Sequence, residues 1–180
     1  MKRYLEILEK FKGKSVGIFV DEANLFYSQK SLGWHINWKN VLDFFNQYFN
    51  IKIAQYYMGT PLKKKAYEGN ILIKNRLEKD GFKVITKPLK KIYLDGHKRD
   101  FIYKCNFDVE ITRDVIRNLN EIDLVLLASS DSDFIGLRND VVSRRKGFIF
   151  VCFEHNVAWE IRRSYHIFFE NIQEKIQYRK

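Results

Sequence analysis

Residues 123–134 read DLVLLASSDSDF, an apolar run that passes through two serines into Asp131 and Asp133. Five consecutive apolar residues, LVLLA, are typical of a strand that is buried on both faces. A second run of this kind, Ser15–Val20 (SVGIFV), leads directly into Asp21. The two segments predict buried strands whose carboxyl ends carry acids.

Helix and strand patterns alternate on both sides of these segments. Apolar residues recur at helical spacing in Trp38–Phe49, and proline at a first helical position predicts a helix from Pro61 to Lys79. The remaining predicted elements are strands at 51–57, 82–86 and 148–153, helices at 107–120, 134–146 and 157–163, a short apolar run at 167–169 and a polar terminal helix. This alternation predicts an α/β fold, a three-layer α/β/α sandwich with a mostly parallel central sheet.

Lys90–Lys104 departs from the alternation, because Asp95-Gly96 stands between two β-prone arms. Asp-Gly in that position predicts a projecting β-hairpin. Its aromatic residues alternate with basic ones, a pattern that suits single-stranded RNA; they are Tyr93, His97, Phe101 and Tyr103. The alternative is that the rings pack the hairpin onto the domain.

Length and composition limit the kinds of molecule that this chain is expected to bind. The 180 residues fit a single domain, 1–180, with the fold at about 15–169 and short helical extensions. A formal charge of +10 favours RNA or another polyanion, although a solvated lysine surface gives the same charge. Because Cys105 and Cys152 have neither disulfide nor zinc spacing and no apolar run could span a bilayer, we expect a cytoplasmic protein without membrane contact. A homodimer is compatible with the sequence, and no nucleotide cofactor is expected.

The acids at the two strand ends are candidate ligands. Parallel strands present their carboxyl ends at one edge of a sheet, so Asp21, Asp131 and Asp133 meet there if their strands are neighbours. Asp21 and Asp133 are also placed where aspartate caps a helix, which is the alternative explanation.

Asp108 supplies a fourth candidate from helix geometry. At about 100° per residue, it falls on the apolar side of the helix that starts near Phe107. That side carries Ile111, Thr112, Val115, Ile116 and Leu119. A carboxylate on a core-facing side has to be paired, capped or bound to a metal. Glu110 and Asp114 fall on the other side and are expected to be solvated.

Four carboxylates in one small volume repel each other unless a cation is bound, and oxygen ligands suit Mg²⁺ or Mn²⁺. Such a site is suited to phosphodiester hydrolysis. Polar and basic residues near the acids are candidate substrate contacts: Asn24, Lys104, Ser129, Ser130 and Arg138.

Three motifs in order resemble the NYN domain family, in the LabA-like branch of the PIN-like nucleases. They are VDEAN at Val20–Asn24, KPLK at Lys87–Lys90 followed by KCNFDVE at Lys104–Glu110, and SSDSDF at Ser129–Phe134. The resemblance spans about 15–169 and implies a metal-dependent ribonuclease with a three-layer fold. It also implies that the metal-binding acids are Asp21, Asp108, Asp131 and Asp133.

The chain departs from the family motifs at three glycines, which are replaced by Glu22, Cys105 and Ser130. These side chains lie beside the expected ligands, and Glu22 is a candidate extra ligand. They also keep open an alternative function, a non-catalytic RNA-binding or regulatory module with the same fold. Haloacid-dehalogenase phosphatases and Toprim enzymes fit less well, because VDEAN lacks the acid pattern that either requires at the first strand.

Overall fold

The computed structural model describes residues 3–93, 101–155 and 157–178. The helices are α1 Arg3–Lys10, α2 Glu22–Leu32, α3 Trp38–Asn46, α4 Lys64–Lys79, α5 Asp108–Asn118, α6 Ile135–Ser143, α7 Trp159–Arg162 and α8 Gln173–Ile176, with 3₁₀ helices at Ser132–Phe134 and Phe169–Ile172. The strands are β1 Ser15–Asp21, β2 Asn50–Thr60, β3 Lys83–Pro88, β4 Lys90–Tyr93, β5 Phe101–Lys104, β6 Leu124–Ala128, β7 Gly147–Cys152 and β8 His166–Phe168. Within these ranges no helix is both long enough and apolar enough to cross a membrane.

Six strands form one parallel sheet in the order β3-β2-β1-β6-β7-β8. From β1 the chain first builds outward to β3, then returns to the other side of β1 and builds outward again from β6 to β8. Strand order therefore reverses between β1 and β6. In open parallel sheets, ligands bind beyond the carboxyl ends of the strands at such a reversal. Here those ends lead into Asp21 and into Ser129–Asp131.

The two central strands are apolar throughout because both of their faces are covered. In the β1–β6 register, Ile18 lies opposite Leu126 and Phe19 opposite Leu127. The first pair belongs to the core that includes residues of α1–α4 and α8, and the second to the core that includes residues of α5–α7. Each fully buried side chain of this kind stabilises the fold by about 1.5–3 kcal/mol. The predicted α/β fold with a mostly parallel sheet is confirmed.

The helix expected from Pro61 begins later, at Lys64, so that boundary was wrong. Thr60 is still in β2, where it pairs with Pro88 and accepts a 2.9 Å hydrogen bond from the Leu89 amide. A residue that precedes proline favours the extended conformation, which suits a strand end better than a helix start. Residues 61–63 therefore connect the strand to the helix.

The C-terminal segment is more deeply buried than its sequence suggests. The apolar run at 167–169 contributes to β8, which pairs with β7 at the edge of the sheet. The terminal helix was expected to be polar, but Ile172 and Ile176 are buried in the core with α3. Two isoleucines in a short charged segment are enough to anchor it, because each one covers apolar surface.

The predicted hairpin arms are β4 and β5, which pair antiparallel from Lys90↔Lys104 to Tyr93↔Phe101. They form a two-stranded sheet of their own, separate from the central sheet. The predicted Asp95-Gly96 turn and His97 lie outside the described residues.

Candidate functional site

Three aspartates meet at the point where strand order reverses. Asp108, Asp131 and Asp133 each place one carboxylate oxygen within 4.8 Å of the others. Asp108 and Asp131 are partly buried and Asp133 is exposed, so the group is accessible from solvent. Residues from the start of α5 and from the loop after β6 thus come together as the sequence predicted.

The loop after β6 holds Asp131 and Asp133 in a fixed relation. One oxygen of Asp131 accepts a 2.9 Å hydrogen bond from the Asp133 amide and caps the short helix Ser132–Phe134. The capping alternative was raised for Asp21 and Asp133, but Asp131 is the residue that makes the cap: Asp21 makes no side-chain cap hydrogen bond to α2, and the residue before α6 is Phe134. Because the cap uses only Oδ1, Asp131 keeps a second oxygen for a cation.

Asp108 is braced by Asn106, a residue that was not among the predicted site residues. The Asn106 side-chain amide donates to Asp108 Oδ2 at 2.6 Å, and the Asp108 backbone amide donates to Asn106 Oδ1 at 2.8 Å. This two-way contact fixes the carboxylate at the first residue of α5. The sequence signal for this contact is an asparagine two residues before the acid that begins the helix.

Asp21 lies behind the group of three and is only 5% exposed. Burial raises its pKa from the ordinary value of 3.8 to about 6, the Ser129 hydrogen bond opposes the rise, and Asp108 adds to it. The charge of Asp131 also raises this pKa. The fourth predicted ligand therefore lies within electrostatic reach of two others.

Ser129 links two of the acids and is fully buried. Its hydroxyl donates to Asp21 Oδ2 at 3.1 Å and accepts a 3.2 Å hydrogen bond from the Asp131 amide. One hydroxyl can do both because it carries one proton and two lone pairs. Ser129 thus positions the acids in this structure.

Asn24 and Ser130 contact each other across the crevice. Asn24 Oδ1 accepts hydrogen bonds from the backbone amide and the hydroxyl of Ser130, each at 2.8 Å. This contact ties the first turn of α2 to the loop after β6. The serine that replaces a family glycine therefore has a bonded hydroxyl, and the substrate contacts predicted for Asn24 and Ser130 stay predictions.

Glu22 adds a fifth carboxyl next to Asp21. It is partly buried, and burial together with the neighbouring charge of Asp21 raises its pKa from 4.5 to about 7. A cation close to Asp21 would favour the ionised form of both side chains. The role of Glu22 as an extra ligand stays a prediction.

The two predicted phosphate contacts occupy different surroundings. Lys104 is exposed at the end of β5, four residues before Asp108. Arg138 is partly buried on α6 and donates to Asn139 Oδ1 at 2.9 Å. Both roles stay predictions.

Asp114 was expected to be solvated, and that expectation was wrong. It is 9% exposed, and its carboxylate lies 3.0 Å from the Tyr57 hydroxyl and 2.8 Å from Arg113 Nε. Asp114 lies three residues after Ile111, so its side chain is rotated by only about 60° from that of Ile111, which faces the core. The sequence gives this rotation, but it does not reveal that the Tyr57 hydroxyl of β2 contacts Asp114. Glu110, also expected to be solvated, is partly buried and bonds Lys87 at 2.8 Å.

Tyr57→Phe is expected to lower the free energy of unfolding by about 1–3 kcal/mol, because Asp114 Oδ2 and Gln55 Oε1 lose the hydroxyl that they contact in a buried position, and Asp114 keeps only Arg113. Urea unfolding monitored by circular dichroism measures the change. Tyr67→Phe removes a hydroxyl from a 44% exposed ring on α4 and is the matched control, with a change within about 0.5 kcal/mol. Equal stability of the two variants would contradict a structural role for the Tyr57–Asp114 pair.

The chain is similar to known proteins over most of its length. The NYN domain profile matches residues 15–172. Low amplitude and bright protein LabA from Synechococcus elongatus is 29% identical over 124 residues, which cover 69% of this chain and 66% of that protein. The alignment therefore spans slightly less than two thirds of that relative.

A crystal structure supports the fold independently. A protein of unknown function from Vibrio parahaemolyticus superposes with a TM-score of 0.72 at 19% identity, over 93% of this chain and 98% of that one. The matched range of the family profile contains all four aspartates and nearly all of the chain. This chain therefore belongs to the NYN domain family.

Proposed function

We propose that this chain is a metal-dependent ribonuclease that hydrolyses phosphodiester bonds in single-stranded RNA. Its family is nuclease-like. The observation that carries the proposal is the convergence of Asp108, Asp131 and Asp133 within 4.8 Å at the reversal of strand order. Asp21, buried beside them, supplies a fourth carboxylate.

The donor set fits Mg²⁺ or Mn²⁺. Every candidate ligand is a carboxylate oxygen, which these hard cations prefer. Carboxylates held this close disfavour joint ionisation, and a divalent cation removes that cost. Asp108, Asp131 and Asp133, together with Asp21, would hold the ion. When bound, it supplies Lewis-acid polarisation of the phosphate and a more acidic water.

Uncharged polar residues of the chain would keep the acids in place during the reaction. Ser129 orients Asp21 and Asp131, and Asn106 orients Asp108. Outer partners of this kind commonly change metal affinity or activity by about 10–100-fold when they are removed. Ser129 and Asn106 would therefore act through the ligands.

Basic residues would offset the negative charge of the acids for an incoming RNA. The chain carries 32 lysines and arginines against 22 acids. Lys104 and Arg138 flank the acidic group along the chain, and we propose that they contact phosphate oxygens. RNA bound in this way would lose affinity as salt increases, since phosphate contacts release counterions.

A non-catalytic RNA-binding module is the second candidate, and the three replaced glycines favour it. In the structure, the Cys105 thiol lies 3.9 Å and 4.0 Å from the carbonyl oxygens of Lys87 and Pro88, and the Ser130 hydroxyl bonds Asn24. The Cys105 and Ser130 side chains thus have local partners. The third replacement, Glu22, adds a carboxyl group beside the acids. These contacts favour the catalytic proposal over the binding module.

Incubating the purified chain with end-labelled single-stranded RNA tests the proposal. We expect cleavage with Mn²⁺ or Mg²⁺ and none with EDTA, because the carboxylates cannot activate water or phosphate without a cation. Isothermal titration with Mn²⁺ alone, in the same buffer, measures metal binding separately.

The two measurements together distinguish the candidates. Binding of RNA without any cleavage, at saturating Mn²⁺, would contradict the nuclease proposal and support the binding module. Cleavage that persists in EDTA would indicate a contaminating enzyme or a metal-independent reaction. Absence of Mn²⁺ binding would contradict the metal site itself.

A further inference from the structure

The hairpin formed by β4 and β5 exposes apolar side chains on both of its faces. Ile92, Tyr93, Phe101 and Ile102 are between 39% and 46% exposed. A two-stranded hairpin is marginally stable by itself in water. Exposed rings and isoleucines on such an element indicate a surface that is completed by a partner.

Strand pairing places the aromatic residues on one side. Tyr93 lies directly opposite Phe101, and Lys91 lies directly opposite Tyr103. Directly opposed residues, and residues two apart in one strand, share a face. We call the side formed by Lys91, Tyr93, Phe101 and Tyr103 the aromatic face. Ile92, Ile102, Lys90 and Lys104 form the opposite face.

The rings of the aromatic face contact one another by their edges, and a lysine lies over two of them. Phe101 contacts Tyr93 and Tyr103 edge-to-face, with centroid distances of 6.3 Å and 5.5 Å. The Lys91 ammonium lies 3.8 Å from the centroid of Phe101 and 4.7 Å from that of Tyr93. RNA can replace this contact between Lys91 and the rings. A base would stack on the ring, and a phosphate would pair with the Lys91 ammonium.

Charge identifies the class of partner. The described hairpin strands carry three lysines, Lys90, Lys91 and Lys104, and no acid. Lysine is depleted in the cores of protein–protein interfaces. Lysines that alternate with rings are instead the pattern that binds single-stranded nucleic acid, in which phosphates follow the cations and bases stack on the rings.

The hairpin emerges next to the acidic group. β5 ends at Lys104, and a chain of four residues spans at most roughly 14 Å, so Lys104 lies within that distance of Asp108. The other root of the hairpin is fixed to the end of β2, where the Leu89 amide donates to the Thr60 carbonyl at 2.9 Å. RNA on the aromatic face would therefore be a few nucleotides from the aspartates.

We propose that the aromatic face stacks unpaired bases of single-stranded RNA and delivers the adjoining phosphate to the acidic group. The proposal rests on the nuclease function and names the surface that binds its single-stranded substrate. Base stacking on an aromatic ring is worth more than an exposed cation–π contact, so replacing Lys91 by a base is favourable. Paired bases have no free face to offer, which makes the contact selective against duplex RNA.

The experiment compares two double variants of the full chain in EDTA, where no metal-dependent cleavage occurs. Phe101→Thr with Tyr103→Thr removes rings from the aromatic face, and Ile92→Thr with Ile102→Thr removes the same number of apolar side chains from the opposite face. Threonine keeps strand propensity in both. Fluorescence anisotropy with a short labelled single-stranded RNA measures affinity, and a matched abasic oligonucleotide reports the contribution of the bases.

The aromatic-face variant is expected to lose at least about tenfold in affinity for the RNA and to bind RNA and abasic oligonucleotide equally. The opposite-face variant should keep the preference of the unmodified chain for bases. Unchanged RNA affinity in a folded aromatic-face variant would overturn the proposal. A fall in mass by sedimentation with unchanged RNA affinity would also overturn it, and would assign the face to a second copy of the chain.

Photocrosslinking of the unmodified chain is a second measurement that does not depend on variant folding. RNA with a photoreactive uridine is expected to crosslink to Tyr93, Phe101 or Tyr103, and crosslinks confined to other elements would overturn the proposal. If the nuclease proposal alone failed, base-dependent binding in EDTA would persist while cleavage with Mn²⁺ would be absent. That result is distinguishable from failure of the aromatic-face proposal.

Discussion

Asp131→Asn is expected to lower Mn²⁺-dependent cleavage of single-stranded RNA by at least about a hundredfold while the domain stays folded. The amide oxygen of asparagine can still accept the hydrogen bond from the Asp133 amide, and asparagine caps helices as well as aspartate does. The substitution therefore keeps the local structure and removes the negative charge that a cation needs. Initial rates of RNA cleavage, with thermal unfolding of the same samples, measure both effects.

The matched control is Asp140→Asn, which removes the same charge from an exposed residue on α6, beyond the acidic group in sequence. Its cleavage rate should stay within about twofold of the unmodified chain, since isolated surface charges contribute little. Equal cleavage by Asp131→Asn and Asp140→Asn would contradict the catalytic role of the acidic group. An Asp131→Asn protein that unfolds at a much lower temperature would instead assign Asp131 to stability.

Two separate rules led from the sequence to the four aspartates, of which the structure brings Asp108, Asp131 and Asp133 within 4.8 Å of one another. Asp21 and Asp131 follow apolar strands, and parallel strands end at one edge of the sheet. Asp108 was found from the rotation of a helix, without any knowledge of the strands. Only the adjacency of β1 and β6 had to be assumed, since one sequence does not reveal which strands are neighbours.

Contacts between side chains from different elements were not predictable in the same way. The helical wheel placed Asp114 on the side away from the apolar residues, but in the structure it is buried against Tyr57 from β2. Likewise the bond between Asn24 and Ser130 joins residues 106 positions apart. Local periodicity has no information about a partner at that separation, so the sequence did not reveal the Asn24–Ser130 bond, and the substrate contacts predicted for both residues stay predictions.

Asp21→Asn is expected to stabilise the metal-free protein at neutral pH. Burial raises the pKa of Asp21 from 3.8 to about 6, so the folded chain binds this proton more tightly than the unfolded chain does. The stability linked to this proton is complete below about pH 4 and is lost as pH rises through about 6. A shift of this size corresponds to about 3 kcal/mol. Asparagine removes the charge, so the metal-free variant should be more stable by about 1–3 kcal/mol at pH 7 to 8, and the difference should vanish near pH 4.

A bound cation is expected to reverse this order. Mn²⁺ at about a hundred times its dissociation constant stabilises the unmodified chain by about 2.7 kcal/mol, and the variant gains less because it has lost a ligand. Urea unfolding in EDTA and in Mn²⁺, from about pH 4 to about pH 8, measures both halves of the prediction. Asp43→Asn is the control, since Asp43 is an exposed acid on α3 and should respond to neither metal nor pH by more than about 0.5 kcal/mol. If Asp21→Asn were the less stable protein in EDTA at neutral pH, the Ser129 hydrogen bond would outweigh the cost of burying the charge. If Mn²⁺ then stabilised both proteins equally, Asp21 would not be a ligand.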